Sequence, residues 1–116
     1  MDRNRADHPL TGPGLAAAVS RYLDHLSVER GLSEHTLQAY RRDLARYQTA
    51  MTARGRATIA EVTADDVASF LAGLREGGQG HAPLAASSAA RAVAAVRGLH
   101  AFAVAEGMAA ADAAGR

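Results

Sequence analysis

Leu37, Tyr40, Leu44, Tyr47 and Met51 recur at intervals of three and four. At roughly 100° per residue they fall on one apolar stripe, so the spacing predicts an amphipathic helix from Ser33 to about Arg54. Ser33 supplies an N-cap hydroxyl, and Leu32 before it stands at staple spacing from Leu37. On the same wheel the opposite face collects His35, Gln38, Arg42 and Arg46, with Arg41 on the flank and with Ala39 and Ala45 too small to obstruct an approaching surface. A flat, cationic, hydrogen-bonding helix face suits a phosphate backbone and a major groove. Taken alone, the three arginines read first as a solvated face partly neutralised by Glu34 and Asp43.

The remaining chain repeats the same period. Leu15, Val19, Tyr22, Leu23 and Leu26 predict a first helix ending near Arg30, with Gly31 as its left-handed cap. After the second helix stops at Gly55, residues Arg56 to Val62 form a connection anchored by Ile59 and Val62. Thr63 and Asp66 resemble a capping box that opens a third helix, whose buried face is Val67, Phe70, Leu71 and Leu74. The run Gly77-Gly78-Gln79-Gly80-His81-Ala82-Pro83 reads as a flexible loop. A fourth helix is predicted from about Ser87 to Glu106, capped by Gly107. Its inner face is Ala89, Ala92, Val93, Val96, Leu99 and Ala103, and its outer face is Ser87, Arg91, Ala94 and Gly98, with Arg97 at the edge. So little bulk on that outer face invites a close approach by a groove or by another helix. The boundaries implied are a tail over 1–14, one helical domain over 15–107 and the beginning of a linker over 108–116.

Composition limits the classes of function. With 116 residues there is room for one modest core. Abundant Ala and sparse β-branched and aromatic residues make the class all-α, a bundle of four helices. All 13 basic residues are Arg, which GC-rich coding explains, and the formal net charge is only +1, so any basic footprint must be local. The absence of Cys excludes a disulfide frame, a thiol nucleophile and a Cys-based zinc site, and fits a reducing cytoplasm. No apolar run approaches a membrane span and the N-terminus has no signal-peptide pattern, so a soluble cytoplasmic protein is expected.

Several motifs in a fixed order carry a family resemblance. Tyr22-Leu23-Asp24-His25-Leu26 precedes Glu29-Arg30-Gly31-Leu32-Ser33; then come Thr36-Leu37-Gln38-Ala39-Tyr40-Arg41-Arg42-Asp43-Leu44, Ser87-Ser88-Ala89-Ala90-Arg91 and Ala95-Val96-Arg97. From about Val19 to Ala114 the chain resembles the core-binding domain of the tyrosine recombinase (integrase) family, most closely its XerD-type members. The resemblance implies a SAM-like four-helix orthogonal bundle that forms half of a clamp around double-stranded DNA, with its second and fourth helices facing the major groove. Carried onto this sequence, the DNA-facing candidates are His35, Gln38, Arg41, Arg42, Arg46, Ser87, Ser88, Arg91 and Arg97. Arg42 points most directly outward, Ser87 and Ser88 serve equally as helix caps or phosphate contacts, and Thr36 sits on the inner flank where local backbone bonding competes. Other recombinase protomers are the second class of partner implied.

The same resemblance places the family's chemistry in a separate C-terminal domain with an Arg, a Lys, a His-x-x-Arg pair, a further His or Trp and a nucleophilic Tyr. Here no His has Arg three residues later, and Tyr22, Tyr40 and Tyr47 fall on apolar stripes, so this chain is expected not to be an enzyme. His8, His25, His35, His81 and His100 show no ligand spacing, and neither a metal nor any other cofactor is expected. His100 reads as a satisfied core histidine. The competing reading is a helical interaction module that docks a partner recombinase through Ala94 and Gly98.

Overall fold

The computed structural model describes residues 12–77 and 81–115. Four α-helices follow one another as α1 (Leu15–Val28), α2 (Glu34–Ala53), α3 (Ala64–Gly73) and α4 (Ala86–Ala105), with a short 3-10 turn at Ile59–Glu61 between α2 and α3. Among the described residues there is no strand; one isolated bridge pairs Gly14 with Thr58. Residues 1–11, most of the anticipated tail, and Gly78, Gln79 and Gly80 of the anticipated loop lie outside the described residues.

Helix α2 is the central element and touches each of the other three. Its start follows from chemistry local to Ser33, whose Oγ accepts the Thr36 amide at 3.2 Å. At Gly31 the chain turns with φ +62°, and the Leu32 amide closes back onto the Leu26 carbonyl, so α1 and α2 are joined by a tight, locally specified corner. Leu37, Leu44, Tyr47 and Met51 are buried as their period requires, while Tyr40 is half-buried. Leu23, Leu26, Phe70, Val96 and Leu99 from the other helices, and Leu74 just after α3, share one core with them. Complete burial of one such aliphatic side chain contributes about 1.5–3 kcal/mol, so the bundle rests on this stripe.

The corner between α2 and α3 is held by one carboxylate. Asp66 accepts the Thr63 amide at 2.9 Å, and the Thr63 hydroxyl accepts the Asp66 amide at 3.1 Å, which completes the capping box. The same carboxylate takes Arg54 Nε at 2.8 Å and Arg56 Nε at 2.7 Å. The Arg56 guanidinium, helped by the Thr63 and Arg54 bonds, holds the Asp66 carboxyl well below the usual carboxylate range although burial opposes it.

Three expectations require correction. Helix α4 starts at Ala86 with Ala85 as its unbonded N-cap, so neither Ser87 nor Ser88 caps it. Gly98 does not belong to a smooth outer face: a Cβ built there would run into the Tyr22 hydroxyl, so α1 already occupies that notch. Ala39 and Asp43 are buried on the flank of α2 rather than lying on or beside its solvated face. The segment after α4 folds back, since Gly107 turns with φ +76°, the Met108 amide bonds to the Ala103 carbonyl, and Met108 and Ala114 are buried in the common core.

Candidate nucleic-acid interface

The charged surface is organised by Asp43, which is 0% exposed. Arg91 of α4 grips it bidentately, Nε donating to Oδ2 at 2.7 Å and Nη2 to Oδ1 at 2.8 Å. Arg46, one turn along α2, donates from Nη1 to Oδ1 at 3.2 Å. The hydrogen bond to Asp43 raises the Arg91 guanidinium above its ordinary value, so it stays charged at every working pH. Both arginines run from this buried anchor to the surface, their side chains 32% and 20% exposed.

Asp43 and Arg46 define the flank of α2 that meets α4. From Arg42, His35 lies roughly 20° and Arg46 roughly 40° around the helix, which puts all three on the strip beside that seam. His35 and Arg42 are exposed, and among the described residues Arg42 makes no ion pair. Gln38 is exposed nearby, its Nε2 donating to Glu34 Oε2 at 3.1 Å. Ser87 and Ser88 stand one turn before Arg91, the first exposed and the second half-buried. The structure thus brings His35, Arg42, Arg46 and Arg91 into one cationic strip along the α2–α4 seam, with Gln38, Ser87 and Ser88 at its border.

Two candidates stand apart from this strip. Arg41 is rotated roughly 100° from Arg42, away from the Asp43 side, and Arg97 is rotated roughly 120° from Arg91 around α4. Both are exposed. Thr36 is half-buried and its hydroxyl accepts from Ser33 Oγ at 3.1 Å, which ties it to the helix start.

The missed residue is Asp43. A signal was present, because Asp43 adjoins Leu44 and falls within roughly 40° of Tyr47 on the wheel, a place where an unpaired carboxylate is costly.

Elsewhere the chemistry is structural. The Tyr47 hydroxyl and His100 Nε2 are 2.7 Å apart in the core, and burial lowers the affinity of His100 for a proton. Burial, with Tyr40 nearby, pushes the Tyr22 phenol up to about 12, and burial raises Tyr47 as well, the opposite of nucleophile activation. An open groove between α1 and α4 is lined by Arg21, Asp24, His25, Val28, Glu29, Phe102 and Glu106, a predominantly acidic rim of the wrong sign for phosphate. Among the described residues no three His, Cys, Asp or Glu side chains are grouped to hold a metal, and no helix is long and apolar enough to cross a membrane.

Comparison with known proteins agrees with this architecture. Residues 19–107 match the family model described as "Phage integrase, N-terminal SAM-like domain". The chain is 52% identical over 100 residues to a protein named tyrosine recombinase XerD from Mycobacterium tuberculosis, a match covering 84% of this chain and 32% of the relative. A tyrosine recombinase XerD from Mycobacterium leprae is 48% identical over 101 residues, covering 85% and 32%. A tyrosine recombinase XerC from Roseiflexus is 40% identical over 84 residues, covering 72% and 25%. The chain spans a quarter to a third of the length of these relatives.

Proposed function

Because the chain belongs to the family of phage integrase N-terminal SAM-like domains, with XerD-type recombinases among its relatives, we propose that it is the DNA-binding, non-catalytic module of a XerD-like site-specific recombinase. It lies along one face of a double-stranded recombination half-site through the seam of α2 and α4, in the cytoplasm, and acts in DNA integration, recombination and chromosome dimer resolution. Other recombinase protomers share the site. Cleavage and rejoining belong to a separate catalytic domain, and this chain performs neither.

The observation that carries the reading is the cationic strip itself, which exposes Arg42 beside Arg46 and Arg91 on a protein whose net charge is only +1. Arg42 is the candidate for a guanine or phosphate contact; Arg46, Arg91, Ser87 and Ser88 serve phosphates; His35 and Gln38 reach toward base edges; Arg41 and Arg97 meet phosphates flanking the main strip. The competing docking surface loses its footing, because Tyr22 fills the notch at Gly98.

Fluorescence anisotropy with a labelled duplex at low salt tests the reading. Wild type should bind with steep salt dependence, and Arg42→Ala should weaken binding several-fold without altering the fold, because Arg42 is exposed and, among the described residues, makes no ion pair. No binding by wild type, or equal binding by Arg42→Ala, would overturn it.

A further inference from the structure

Asp43 and Asp66 are equally hidden carboxylates with different uses. Asp66 caps α3 and closes a corner, so its burial is explained by the backbone it bonds. Asp43 sits in the middle of α2, and among the described residues its only partners are Arg46 and Arg91. A buried ion pair offers no stability that an apolar side chain of similar volume could not supply, so packing alone does not call for a carboxylate here. What the carboxylate does supply is geometry. It fixes the planes of two guanidiniums, one from Arg46 three positions along α2 and one from Arg91, 48 positions away and brought beside it by the helix crossing.

The charge at this point is also unbalanced. Two guanidiniums share one carboxylate, so one positive charge remains. Arg91 commits Nε and Nη2 and Arg46 commits Nη1 to Asp43, leaving the other N–H groups of both forks available at the partly exposed ends of the side chains. Paired donors held at fixed orientation, with a net positive charge, match the oxygens of one backbone phosphate.

We infer that Asp43 is a positioning residue: from inside the bundle it sets Arg46 and Arg91 as a single phosphate seat astride α2 and α4. This rests on the proposed DNA-binding function and adds to it a residue that never meets the DNA. It also reverses the usual expectation from charge, because removing an acidic group from a DNA-binding surface should otherwise tighten binding.

The test is a salt series of anisotropy titrations with a fluorescein-labelled duplex of mixed sequence, comparing wild type, Arg42→Ala, Asp43→Asn and Arg91→Lys, with circular-dichroism melts to confirm folding. Asp43→Asn should bind about tenfold more weakly despite the loss of a negative charge. The slope of log affinity against log salt should fall by about 0.9, the loss of one phosphate contact. Arg91→Lys preserves charge but not the fork, and should show the same two changes. A loss of folded fraction would lower apparent affinity and leave the slope alone. The inference is overturned if folded Asp43→Asn binds as tightly as wild type or more tightly with an undiminished slope. If Asp43→Asn does not fold, Arg91→Lys decides: unchanged affinity and slope overturn the inference, and weakening with a reduced slope supports it. Wild type that binds no duplex defeats the proposed function and this seat together; wild type that binds, with only Arg42→Ala impaired, defeats the seat alone.

Discussion

The Tyr47 hydroxyl and His100 Nε2 meet at 2.7 Å across the contact between α2 and α4, in the interior of the protein. Burial depresses the proton affinity of His100 below its ordinary value. The unfolded chain therefore takes up a proton that the folded chain resists. The contribution of neutral His100 is complete above about pH 6.5 and is progressively lost as pH falls below it. Denaturant unfolding measured between neutrality and mildly acidic pH should show this loss, and His100→Gln, which cannot acquire the charge, should flatten the profile over that range.

A second acid-sensitive step should follow at lower pH. The folded-state pKa of Asp66 is lowered, so its stabilising contribution is present above the unfolded value of about 3.9 and disappears as pH falls through and below that value. Asp66→Ala removes the α3 cap together with the anchor of Arg54 and Arg56. It should cost about 3 kcal/mol at neutral pH and abolish this second step, as read from urea midpoints at constant m-value.

Gly98→Ala tests the close passage of α1 over α4. The new methyl would meet the Tyr22 hydroxyl, so Tyr22 or the whole of α1 must shift. A loss of about 1–3 kcal/mol is expected. Ala94→Ser, at an exposed position one turn away, should stay within about 0.5 kcal/mol of wild type. Equal effects of the two substitutions on the thermal midpoint would contradict the notch.

Arg41→Ala and Arg42→Ala should differ although the residues are neighbours. Arg42 lies on the strip beside the Arg46–Asp43–Arg91 group, while Arg41 is turned roughly 100° from it. Anisotropy titrations should show the larger loss of DNA affinity for Arg42→Ala, at least twofold beyond that of Arg41→Ala, and both proteins should melt as wild type does because both side chains are exposed.

Features written within a few consecutive residues were legible in the sequence. Ser33 capping α2, Thr63 and Asp66 boxing α3, and the apolar period of α2 depend on separations of three or four positions, and helix geometry alone fixes them. His100 was readable too, because its neighbours on α4 are apolar. What escaped depends on how helices cross. Asp43 reads from sequence as one more charge beside Arg42, and only the placement of α4 against α2 makes it the buried partner of Arg91, 48 positions away. Gly98 looked like missing bulk on an outer face for the same reason: the wheel of α4 cannot show that Tyr22 arrives from α1. The arginines that form the strip could thus be picked out along the chain, but not the carboxylate that joins two of them.

The bonds around Asp66 also bear on how the molecule can bend. One carboxylate fastens the end of α2, the connector through Arg56 and the first turn of α3. Opening any of these segments breaks bonds belonging to the others, so the corner lacks the independent freedom of a hinge. Amide protons at Thr63 and Asp66 should exchange in step with those at the end of α2, as members of one cooperative unit. A duplex pulling on α2 would then carry α3 with it as a single lever.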